Sequence, residues 1–100
     1  MKHYILAKFK DRSDTEQLFP EIRELFHEAL AIPGVESIVI RKSNSTRENR
    51  YSIMIEMDLS GEGLNSFDAS EVHKKWKETY GGRLESKAIF DCDDAPEMKQ

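Results

Sequence analysis

The chain has 100 residues, 38% hydrophobic and 34% charged, with five glycines, three prolines and one cysteine. This is the balance of one small globular domain, not of a disordered or fibrous chain, and one cysteine excludes a disulfide framework or a cysteine-rich zinc site. Residues 1–50 carry nine basic and eight acidic side chains and residues 51–100 six and eleven, for a net charge of −4. No basic stripe can hold a phosphate backbone and no apolar run nears the roughly 20 residues that span a bilayer, so neither nucleic acid nor a membrane is an expected partner.

The opening residues meet Lys8 and Lys10 early and do not resemble a secretory signal, so the expected address is cytoplasmic. Residues 3–10 alternate and predict a strand with His3, Ile5, Ala7 and Phe9 on one face. Ser13-Asp14-Thr15-Glu16 fits a capping box, in which the serine hydroxyl and the glutamate carboxylate satisfy free backbone donors at a helix start. Leu18, Ile22, Leu25, Phe26 and Ala29 then form an apolar helical stripe. Pro20 removes one helical hydrogen bond and either kinks that helix or begins its regular part. Pro33-Gly34 ends it.

Residues 35–42 predict a second strand, 43–50 a polar exposed loop and 51–59 a third strand of strict alternation. Residues 60–69, with two glycines, read as a loop with at most a helical turn. Ser70 predicts the cap of a second helix with Val72, His73, Trp76 and Tyr80 inward, weakened at Gly81-Gly82. Residues 87–92 predict the last strand, and residues 93–100 an acidic tail beyond a domain over 1–92.

The order βαββαβ predicts an α+β, ferredoxin-like protomer: a four-stranded antiparallel sheet with two helices on one face. The alternation places Tyr4, Leu6, Ile38, Ile40, Met54, Ala88 and Phe90 on the face the helices leave bare. An apolar patch of that size predicts a partner, most simply a second copy packing sheet to sheet into a dimeric α/β barrel.

No phosphate-binding glycine loop, HExxH, CxxC or GxSxG is present, and no metal or cofactor is expected. His73 is the candidate catalytic residue. It shares the inner side of its helix with Trp76 and Tyr80, where an imidazole of ordinary pKa near 6.5 suits proton transfer. The alternative is a half-buried histidine bonded to a backbone carbonyl. His3 joins the candidate pocket if its strand face meets the helices, together with Ile5, Phe26, Tyr51, Phe67, Trp76 and Tyr80. Tyr51 and Tyr80 are candidate proton donors or oxyanion stabilisers, or core residues with the hydroxyl at the rim. His27 lies off the apolar stripe and is expected in solvent. Cys92 beside Asp93 and Asp94 lacks a histidine at ligand spacing.

The opening strand Lys2 to Asp11, the turn Ile32-Pro33-Gly34-Val35 and the closing Ala88-Ile89-Phe90-Asp91 make the chain resemble the stress-responsive A/B barrel, or Dabb, family over about residues 2–92. The resemblance implies a ferredoxin-like protomer that dimerises through its sheets. Most members of that family have no established activity. One is a polyketide cyclase that promotes an intramolecular aldol condensation without a cofactor. By that resemblance His73 is the base and His3 a pocket residue. The cyclase's catalytic tyrosine falls on Phe67, which has no hydroxyl, and Ala69 to Val72 replace a histidine and proline. Three functions therefore stay open: a cofactor-independent enzyme or binder of small apolar or aromatic molecules, a structural or stress-associated dimer, and a cofactor-free or haem-linked monooxygenase.

Overall fold

The computed structural model describes residues 1–100. Strands β1 (Lys2–Phe9), β2 (Val35–Lys42), β3 (Ile53–Leu59) and β4 (Leu84–Cys92) form one antiparallel sheet in the order β2-β3-β1-β4. Helix α1 (Asp14–His27) continues as a 3₁₀ turn over Glu28–Ala31. Helices α2 (Gly61–Asp68) and α3 (Glu71–Lys75) follow β3, and α3 runs on through a π turn, Trp76–Tyr80, and a 3₁₀ turn, Gly81–Arg83. This is the α+β architecture expected from the sequence, with the helical segment after β3 divided in two.

The core lies between the sheet and the helices. His3, Ile5, Ala7 and Phe9 of β1 and Ile53, Ile55, Met57 and Leu59 of β3 are all buried, as their period-two spacing requires. From the helices come Leu18, Ile22, Leu25, Phe26, Phe67, Val72, Trp76 and Tyr80. Phe26 packs edge-on against Trp76, with ring centroids 5.4 Å apart, and Phe67 lies 5.9 Å from Phe26. These aromatic contacts lock the two helical segments to each other over the sheet.

Several expectations are corrected. Ser13 makes no side-chain cap and is already helical in its dihedrals. Its hydroxyl and amide bond Asp11 Oδ1 at 2.7 and 3.0 Å instead, because the aspartate two residues earlier offers a charged acceptor. Glu16, the other half of the expected box, pairs with Lys42 at 2.9 Å. Pro20 neither starts nor ends α1; it sits inside the helix on the exposed side. Residues 61–68 are helical rather than looped, capped by Ser60 Oγ, which accepts from the Gly63 amide at 3.0 Å. The Ser70 cap forms as expected, its hydroxyl accepting from the His73 amide at 3.2 Å.

The largest correction concerns β2. Val35 pairs with Leu59, but Ser37 already pairs with Asp58, so one extra residue is inserted at Glu36. Beyond this bulge the phase is reversed. Ile38 and Ile40 stand opposite Met57 and Ile55 and face the helices, half-buried, while Val39 turns to the bare face. The bare face thus keeps Tyr4, Leu6, Met54, Ala88 and Phe90, loses both isoleucines and gains Val39.

Candidate functional site

His3 and His73 both pack against Phe67. The Phe67 ring stands edge-on to both imidazoles, with centroids 6.3 Å from His3 and 5.2 Å from His73. β1 supplies His3 from its inward face, the end of α2 supplies Phe67, and the Ser70 cap starts α3 so that His73 falls in its first turn. Phe67 is fully buried, so this ring is wall and not donor.

His73 is half-buried. Its Nδ1 lies 3.1 Å from the Asp68 carbonyl oxygen. A carbonyl only accepts, so Nδ1 carries the proton and Nε2 keeps a lone pair. Burial lowers the pKa of His73, as does the Lys77 ammonium; Asp68 opposes them, and Lys87 adds a further lowering. The ring is thereby held neutral, the form a general base needs. This geometry also matches the carbonyl-bonded histidine weighed above. The two readings differ only in what meets Nε2.

His3 is buried and not frayed, and its Nδ1 bonds the Asp91 carboxylate of β4. His3 and Asp91 are direct cross-strand partners, 88 positions apart in the chain. No periodicity could have indicated Asp91; only the β1–β4 register does. The same register puts Lys87 and Ile89 on the helix side of β4, beside Ala7 and Ile5. The helices stop short of this edge strand, and Ile89 is left 49% exposed. An open strip of Lys87, Ile89 and Asp91 therefore runs along the edge of the sheet beside β1 and meets His3 at Asp91.

The other candidates separate. Ile5, Phe26 and Trp76 are packed in the core, and none of the molecule's four cavities is lined by His3, Phe67, His73 or Trp76. The Tyr80 hydroxyl donates to Glu21 Oε1 at 3.2 Å, and burial followed by that carboxylate raises its pKa. Tyr51 lies away from the histidines, in a cavity at one end of the bare face. Its alternation with Ile53 fails because Ser52 is buried as well: the serine amide donates to the Ala7 carbonyl at 2.8 Å and its hydroxyl accepts from the Phe9 amide at 3.0 Å. His27 is exposed, as expected.

No protein-family model and no curated protein matches the sequence. Solved structures do match in shape. A dimeric protein of unknown function from Bacteroides fragilis with a ferredoxin-like fold is 14% identical, covers 93% of this chain and 94% of its own, and superposes with a TM-score of 0.78. A Dabb family protein from Mesorhizobium loti, also of ferredoxin-like fold, is 13% identical with a TM-score of 0.71, covering 95% and 96%. The fold is ferredoxin-like. An Arabidopsis thaliana protein is 21% identical, covers 98% of each chain and has a TM-score of 0.75. At such identities the likeness fixes the ferredoxin-like fold of this chain and leaves the chemistry to its own residues.

Proposed function

We propose that the protein is a homodimeric α/β barrel of the Dabb type that binds a small carbonyl compound at the strip beside β4 and uses His73 as its base. The observation that carries this reading is the fixed tautomer of His73: Nδ1 is committed to the Asp68 carbonyl, which leaves Nε2 as the acceptor on a ring whose pKa is held down. Nε2 takes a proton from the carbon beside the carbonyl. The Lys87 ammonium, on the helix side of β4, steadies the enolate oxygen that forms. Ile89 offers apolar surface to the rest of the molecule.

The test is deuterium uptake by a β-diketone such as acetylacetone in heavy water, followed by proton NMR. Wild type should accelerate exchange above buffer, and His73→Gln should lose at least about 100-fold of that acceleration, as removal of a general base does. Equal rates with both proteins would refute the reading.

A second reading is a structural dimer without chemistry. It is favoured by the filled space between helices and sheet, where Phe26, Phe67 and Trp76 leave no cavity at His73. It predicts no exchange above buffer and an effect of His73→Gln on stability alone.

A further inference from the structure

On the bare face, across the sheet from His73, a cavity of about 290 Å³ opens where β1, β2 and β3 meet the loop 43–52. Leu6 and Met54, direct cross-strand partners, give it an apolar floor. Arg41, paired with Met54 across β2 and β3, and Arg50 from the loop stand beside them. No carboxylate lines the cavity, although the whole chain carries a net charge of −4. Lys42 borders it too, but its ammonium lies across the sheet, on Glu16 at 2.9 Å and over the Phe19 ring. The charge of the cavity is therefore two guanidinium groups.

Both keep donors to spare. Arg41 spends Nη1 on Glu56 Oε1 at 3.2 Å. Arg50 bonds only the neighbouring Asn49 Oδ1, at 2.6 Å, and has no carboxylate partner. The backbone carrying Arg50 is pinned by side chains of β1 and the turn that follows it. The Arg12 guanidinium donates to the carbonyls of Arg47, Glu48 and Arg50 at 2.7, 3.1 and 3.0 Å, and the Lys8 ammonium donates to the Glu48 carbonyl. The Ser43 amide closes the base of the loop on the Ser52 carbonyl at 2.8 Å. A guanidinium presented from fixed backbone loses less freedom on binding an anion.

We propose that this cavity binds an amphipathic carboxylate, its head between Arg50 and Arg41 and its apolar chain on Leu6 and Met54. A planar guanidinium fork matches a carboxylate in two parallel bonds. Leu6 pairs with Ala88 and Tyr4 with Phe90, so the apolar floor continues from the cavity across the face. A second copy seated on that face would enclose the chain of the ligand.

Decanoate, kept below its micelle concentration, is the probe, with decanol and decyl phosphate as comparisons. Binding is read by calorimetry and by amide NMR shifts. Decanoate should shift Leu6, Tyr51 and Met54, and Arg50→Gln should weaken it about tenfold or more, with a smaller loss for Arg41→Gln, whose donors Glu56 already shares. Arg50→Lys should fall between, since it keeps charge without the fork. The Arg50 guanidinium makes its one hydrogen bond within the protein to the neighbouring Asn49, so the thermal midpoint without ligand should not move. Decanol bound as tightly as decanoate, shifts confined to His73 and Ile89, an unchanged Arg50→Gln, or no binding at all would each overturn the site. Binding of decyl phosphate alone would overturn its assignment to carboxylates.

Discussion

A single hydrogen bond sets the tautomer of the His73 ring. Because Nδ1 serves the Asp68 carbonyl, Nε2 is the nitrogen left with a lone pair. The lowered pKa adds a pH signature. The unfolded chain restores the ordinary value of 6.5, so below it the unfolded state binds more protons than the folded state. The stabilisation is fully present above the unfolded pKa and is lost as pH falls through the folded one. The His73 ring resonances should therefore titrate with a midpoint below 6.5, and the fall in denaturation midpoint on acidification below that pH should be shallower in His73→Gln than in wild type. A ring midpoint at or above 6.5 in the folded protein would contradict the assigned environment. The position of His73 was legible in its spacing to Trp76 and Tyr80, and that of His3 in strand alternation. Asp91 was not, since it meets His3 only through the sheet register.

At the level of elements, the turn into β2 and the start of α2 depend on each other. Gly34 has φ +92°, and a Cβ on Gly63 would stand 2.6 Å from the carbonyl carbon and oxygen of Gly34. The Ser60 amide donates to that same carbonyl oxygen at 2.9 Å. Backbone meets backbone there, and neither side can give as a flexible side chain would. Gly63→Ala should cost about 1–3 kcal/mol of stability in urea denaturation, as overpacking does. Gly61→Ala, with nothing within 4 Å of its new Cβ, should be neutral or stabilising by up to ~1 kcal/mol. Equal stabilities of the two variants would show that the close approach is absent. The same neighbourhood shows why some elements escaped the sequence. α2 opens with Gly-Glu-Gly, poor helix formers whose weak propensity is overruled by the Ser60 cap and by burial of Phe67. The bulge at Glu36 leaves no mark in an alternating string, yet it moves Ile38 and Ile40 to the other side of the sheet.

For the whole molecule, one sheet face is covered by helices and the other is not. That much followed from counting: two helical segments, enough for one side, and apolar residues on both sides of β1. The bulge changed the membership of the bare face without abolishing it. Tyr4 and Phe90 remain as neighbours with ring centroids 6.5 Å apart, and Phe90 is 61% exposed and Val39 40%. Charged side chains surround them: Lys2 pairs with Asp58 at 3.2 Å and Arg41 with Glu56 at the same distance. An apolar centre with a charged rim is the pattern of a protein interface, and the proposed homodimer would use it. Phe90 contributes little to the protomer's own core, so a charge there should act on association and not on folding. Light scattering on wild type should give twice the 11.6 kDa chain mass, and Phe90→Glu should give one chain with an unchanged far-UV spectrum. A Phe90→Glu protein that remains a dimer would place the contact elsewhere, since a desolvated, unpaired carboxylate at the centre of the sheet-to-sheet contact would cost several kcal/mol in each copy.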